Sequence, residues 1–222
     1  MCGRYLLNSP MEALEAQFEA EALTDFQPRY NLAPTAPVLV VLATADGRVI
    51  ALHQWGLVPS WSKDPAQGGR MANARAETVA EKPSFRSPFR KSRCIIPADG
   101  FYEWQARSGG PKQPFCIRAV DGSTLGFAGV RDRWEGPDGV LDTCTIITTT
   151  ANGNMAPIHD RMPVILAPGD YAAWLEPGTG AARLKALLRP CPEDYLRVFP
   201  VGLAVGNVRN EGPGLMEPLD AQ

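Results

Sequence analysis

Histidine is scarce in this 222-residue chain, closely spaced cysteines are missing, long apolar runs are missing, and net charge is nearly missing. The two histidines, His53 and His159, and five scattered cysteines never arranged CxxC leave no ligand set for a zinc ribbon. Five is an odd number, and Cys2, Cys94, Cys116, Cys144 and Cys191 lie far apart, so a disulfide framework is not expected either. The longest apolar run, 36–45, falls far short of the roughly 20 residues of a membrane helix, and no span is expected. No basic stretch followed by an apolar one opens the chain, so the expected setting is cytoplasmic, with nucleoid association if the partner is DNA. A net charge of −2 excludes coating of duplex DNA by bulk electrostatics and allows nucleic acid only where cations are gathered locally.

What is abundant points to one compact unit. Hydrophobic residues make up 45% and charged ones 21%, while 21 glycines and 21 prolines imply many turns. Ser9-Pro10-Met11-Glu12 carries a capping serine, proline at the first helical position and glutamate three after the cap, so the pattern predicts a helix over 10–22. Three Asp-Gly pairs, at 46–47, 121–122 and 138–139, lie between β-rich segments (38–44, 49–55, 115–120, 125–130, 143–150) and read as hairpin turns. Short helices are expected at 169–175 and 181–188, and a last strand at 198–205. The expected fold is a single α+β domain over 1–222, mainly antiparallel β and barrel-like, with a few peripheral helices.

Chemistry-bearing residues stand at separate places. Cys2 follows the initiator methionine. Once Met1 is removed, amine and thiol sit on adjacent carbons, a pair that condenses with an aldehyde to an imine and closes a five-membered thiazolidine ring. About a tenth of an ordinary α-amine is free base at pH 7. A small buried apolar residue is the plain alternative. In Gly100-Phe101-Tyr102-Glu103-Trp104, strand alternation puts Phe101 and Glu103 on one face; an apolar setting would raise the carboxyl pKa into the range of a general acid, while the same pattern also suits a solvated glutamate. His159, in Pro157-Ile158-His159-Asp160-Arg161-Met162-Pro163, sits at a strand edge where a proton shuttle is useful, whereas His53 lies within a strand and reads as structural. Met71-Ala72-Asn73-Ala74-Arg75-Ala76-Glu77, if extended, projects Asn73, Arg75 and Glu77 to one side, an amide for a sugar hydroxyl and a guanidinium for a phosphate. Trp61, on the Pro-containing loop after Trp55, can stack on a base. Lys82, Arg86, Arg90, Lys91 and Arg93 interleave with Phe85 and Phe89 and by themselves read as a solvated loop.

Joined in order, Met1-Cys2-Gly3-Arg4-Tyr5, Tyr30-Asn31-Leu32-Ala33-Pro34, Trp55 to Trp61, Asn73 to Thr78, Arg93 to Trp104, Ile158 to Pro163 and Val205 to Asn210 resemble the motifs of the SOS response-associated peptidase (SRAP) family. The resemblance implies recognition of abasic sites in single-stranded DNA and covalent capture of them through the N-terminal cysteine. On this chain it implies Cys2, Asn73, Glu103 and His159 as catalytic residues, and Arg4, Pro34, Trp61, Arg75, Arg86 and Arg161 as DNA contacts. It implies neither cofactor nor metal. Two other classes remain open at this point: a peptidase using the Cys2 thiol with His159 as base, and a passive single-strand binder.

Overall fold

The computed structural model describes residues 2–137 and 139–219. Along the chain the elements are β1 (Tyr5–Leu7), α1 (Met11–Phe18), β2 (Ala20–Ala22), β3 (Arg29–Leu32), β4 (Pro37–Thr44), β5 (Gly47–Trp55), β6 (Asn73–Arg75), α2 (Pro83–Lys91), β7 (Arg93–Ala98), β8 (Gly100–Gln105), β9 (Gln113–Ala119), β10 (Leu125–Gly136), β11 (Gly139–Thr150), β12 (Arg161–Pro163), β13 (Ile165–Leu166), α3 (Tyr171–Leu175), α4 (Ala181–Leu187) and β14 (Leu196–Pro200). The architecture is α+β, as expected. One antiparallel sheet has the order β14-β9-β8-β1-β3 and the other runs β12-β11-β10-β7-β4-β5-β2.

The second sheet closes. β11 pairs in parallel with β5 through Thr143↔Gln54 and Cys144↔Trp55, which joins β4, β5, β7, β10 and β11 into a ring. Trp55 sits at that seam, fully buried, with its indole Nε1–H donated to the Ala72 carbonyl at 2.8 Å. Tyr5 meets Trp55 edge-on at 5.2 Å and Phe127 at 6.1 Å, and Phe101 meets Phe127 at 5.9 Å, so an aromatic cluster fastens the first sheet to the ring. On the outer face of the first sheet, Leu6, Tyr102 and Cys116 are covered by Val201, Val205 and Leu215. β8 is therefore covered on both faces over residues 100–103, and a polar side chain there is buried.

Several local expectations are corrected. The first helix is Met11–Phe18, shorter than 10–22, because Glu19 turns left-handed (φ 50) and the next three residues pair with β5 as β2. Ser9 does not cap it; its hydroxyl is spent on Asp99 at 2.7 Å. The Asp46-Gly47 hairpin is present, with Thr44 opposite Gly47. Asp121-Gly122 is no hairpin, because β9 and β10 belong to different sheets. There the Asp121 carboxylate accepts the backbone and hydroxyl protons of Ser123 and makes a corner between layers. At the third pair, Gly136 opposes Gly139, and Asp138 lies outside the described residues. Three pairings, β2–β5, β6–β11 and β5–β11, are parallel, which period-two patterning does not reveal. The basic run 82–93 is not a loop: Pro83 starts α2, Phe85 and Phe89 are buried, and Arg93 points inward to the carbonyls of Phe89, Arg90, Trp174 and Glu176. The last strand is Leu196–Pro200, and 203–206 is a 3-10 turn.

Because Trp55 fills the ring's seam and satisfies the Ala72 carbonyl, Trp55→Ala should lower unfolding free energy by about 3–5 kcal/mol, read as a reduced urea midpoint in chemical denaturation.

Candidate functional site

The site begins where β1 runs out. Tyr5 opposes Phe101 and Leu6 opposes Gly100 across β1 and β8, and the Arg4 carbonyl then accepts the Tyr102 N–H at 2.9 Å. The alignment thus continues beyond β1, and residues 2–4 run beside Glu103 and Trp104. Cys2 is completely buried. Asn73, the first residue of β6, reaches it: Nδ2 donates to the Cys2 carbonyl at 2.8 Å. The buried Oδ1 of Asn73 has no protein partner among the described residues, so the amide can still accept one hydrogen bond.

Electrostatics follow from this burial. Desolvation first, and the Glu103 carboxylate second, push the Cys2 thiol well above the ordinary thiol range, so it is held as S–H. Glu103 is 3% exposed. Desolvation raises its pKa above the usual carboxyl value, partly opposed by nearby positive charge that includes His159. The expectation of a raised Glu103 pKa is met, and the cause is the double-covered sheet. His53, the other histidine, is buried in β5, and desolvation brings its pKa down to about 4; it stays neutral inside the barrel wall.

His159 lies in the loop leading into β12 and acts electrostatically on Glu103. Gln105, two residues after Glu103, donates its amide to the Pro157 carbonyl at 2.9 Å and ties that loop to β8. Nδ1 of His159 is 2.9 Å from the Arg161 backbone N–H and 2.9 Å from a carboxylate oxygen of Asp160. Four residues distant in sequence, Cys2, Asn73, Glu103 and His159, are thereby gathered by three strand ends.

The expected DNA contacts divide. The extended reading of 71–77 holds only for β6, Asn73–Arg75, since a 3-10 helix ends at Met71, Ala72 is helical and 76–77 turn away; Arg75 is exposed beside Asn73, with Ala74 buried between them. Trp61 is 66% exposed, an outlier for so large a ring. Its loop is clamped on both sides: Ser60 N–H donates to Asp132 at 2.9 Å and the Trp134 indole donates to the Ser62 carbonyl at 2.8 Å. No sequence pattern marked Asp132 and Trp134 for that role. Arg4 is half-buried, bonded at 2.8 Å to both Asn31 and the Val205 carbonyl and stacked over Trp104 at 5.7 Å. Arg161 is gripped by Glu77, at 2.6 and 2.9 Å. Pro34 is half-buried before Thr35, which is left-handed (φ 77). Arg86 is exposed on α2, which packs on β7 and β10 rather than on the strands that carry the cluster.

Comparison with known proteins shows the family. The family model described as SOS response associated peptidase (SRAP) matches residues 1–208. The chain is 40% identical over 222 residues to the abasic site processing protein YoqW of Bacillus subtilis, covering 98% of this chain and 99% of that protein. It is 37% identical to the abasic site processing protein HMCES of Gallus gallus, covering 88% of this chain and 67% of the relative. A crystal structure of a protein from Bacteroides thetaiotaomicron superimposes with a TM-score of 0.90 at 25% identity, over 98% of this chain and all of the other. The chain belongs to the SRAP family.

Proposed function

We propose that this protein captures abasic sites in single-stranded DNA by forming a thiazolidine between C1′ of the opened sugar and the N-terminal Cys2 exposed by removal of Met1. The observation that carries the reading is a buried cysteine whose backbone is held by Asn73 and whose thiol is kept protonated beside a carboxyl of raised pKa. That pairing suits an amine-first reaction and disfavours a peptidase, which needs a thiolate as nucleophile. The names of the relatives, abasic site processing proteins, support the substrate class.

The steps balance without oxidant or metal. The Glu103 carboxyl gives its proton to the ring oxygen as the C1′–O bond breaks, and the C1′ hydroxyl loses its proton to leave the aldehyde. The Cys2 amine adds to C1′, water departs as the imine forms, and the thiol adds across C=N, its proton passing to nitrogen. Asn73 Oδ1 accepts from a hydroxyl of the opened sugar, and His159 moves protons to and from the departing oxygen. Arg75 holds a flanking phosphate and Trp61 stacks on a neighbouring base. A few cations in one cleft reconcile DNA binding with a net charge of −2.

On a denaturing gel, processed protein should give a heat-stable shifted band with an abasic oligonucleotide and none with an intact one. Cys2→Ala should abolish it; peptide cleavage without a band would instead favour the peptidase. Asn73→Ala and Glu103→Gln should slow crosslinking by about 100-fold or more while changing DNA affinity little, and Arg75→Ala should do the reverse. Equal losses in both assays would refute that division. The rate should also be bell-shaped in pH. It rises as the amine loses its proton and falls once pH passes the raised pKa of Glu103, whose protonated form is the acid; Glu103→Gln should remove the descending limb.

A further inference from the structure

Glu77 has no part in the steps above, yet its carboxylate is held at both oxygens. It lies two residues past the end of β6. Its two carboxylate oxygens meet the two terminal nitrogens of Arg161 at 2.6 and 2.9 Å, a bidentate pair, and the guanidinium also donates to the Thr148 carbonyl at 2.6 Å. The Arg161 side chain is 12% exposed, so this charge is enclosed rather than offered to solvent. The Arg161 hydrogen bonds in turn hold the Glu77 carboxyl below its usual range.

The bridge joins two strands that flank β11 on opposite sides. β6 pairs with β11 through Thr148↔Arg75, and β12 pairs with it through Thr150↔Arg161. β6 begins with Asn73, which holds Cys2; β12 begins with Arg161, whose backbone N–H donates to Nδ1 of His159. That same Nδ1 is 2.9 Å from Asp160. The two contacts demand opposite tautomers of the neutral ring. Accepting the Arg161 N–H needs a lone pair on Nδ1 and leaves the proton on Nε2, whereas donating to Asp160 needs the proton on Nδ1. Whichever neighbour is better fixed decides, and Asp160 is 86% exposed while Arg161 is anchored at three points.

We propose that Glu77 is a positioning residue for His159: by gripping Arg161 against the end of β11 it fixes the Arg161 N–H on Nδ1 and keeps the ring proton on Nε2. The catalytic consequence rests on the crosslinking reading, but the tautomer does not, so the two can fail separately. With only His53 and His159 in the chain, long-range 15N NMR of the imidazoles yields two ring patterns. It should be recorded on the full chain about two pH units above the ordinary imidazole pKa. The native protein should show His159 with pyridine-type Nδ1 and pyrrole-type Nε2. Glu77→Ala, and Glu77→Gln as the variant of equal size, should shift His159 toward the Nδ1–H form, with an unchanged His53 pattern reporting an intact fold. At saturating abasic oligonucleotide the crosslinking rate should fall by about tenfold or more with affinity altered far less. An unchanged His159 pattern overturns the proposal whatever the activity, and a changed pattern with an unchanged saturated rate overturns its catalytic part. If the native protein forms no crosslink, the function reading fails and the 15N comparison alone decides the role of Glu77.

Discussion

Everything at the site depends on burying the start of the chain. A terminal cysteine in solvent is a flexible reagent with an ordinary thiol; here the residue lies under β8, its carbonyl tied to Asn73 and its sulfur desolvated beside Glu103. The same desolvation acts in one direction on both neighbours, because it disfavours charge in each: thiol and carboxyl both hold their protons more tightly. Low polarity at one spot therefore favours the protonated form of both groups, while neighbouring charge adjusts each: the Glu103 carboxylate raises the thiol further and His159 opposes the rise of the carboxyl.

The scaffold makes that burial affordable. The first sheet has its inner face against the ring and its outer face under Val201, Val205 and Leu215, so β8 is a central, doubly covered strand. Glu103 is the buried polar residue in a strand that supplies Phe101 and Tyr102 to two separate apolar clusters. A buried polar residue at such a position disfavours folding, and its presence is an argument for function in itself.

Much of this was legible in the residues. Period-two alternation around Phe101 and Glu103, the alanines that separate Asn73 from Arg75, and the oddity of Cys2 each led to the right structural surroundings. Regular strands such as β4 and the late helices also fell where propensity put them. Other features carried no local signal. Closure of the ring through β5 and β11 is a parallel contact between residues about ninety positions apart, and nothing in either segment announces its partner. Asp121-Gly122 failed as a hairpin because turn chemistry specifies a change of direction, not which strand is met afterwards. Arg161 entered the DNA-contact set through the resemblance, and only the placement of β6 and β12 astride β11 revealed the carboxylate of Glu77 that grips it. The clamp of Asp132 and Trp134 on the Trp61 loop was hidden for the same reason.

The hydrogen bond from Arg4 to the Val205 carbonyl spans 201 positions of the chain. Asn31 meets the same loop through Val205, Asn207 and Asn210. The residues beside Cys2 are thus locked down by a loop two hundred positions further along. The segment that carries Cys2 therefore gains this anchor only once the 205–210 loop has folded back against it, a contact of very high sequence separation.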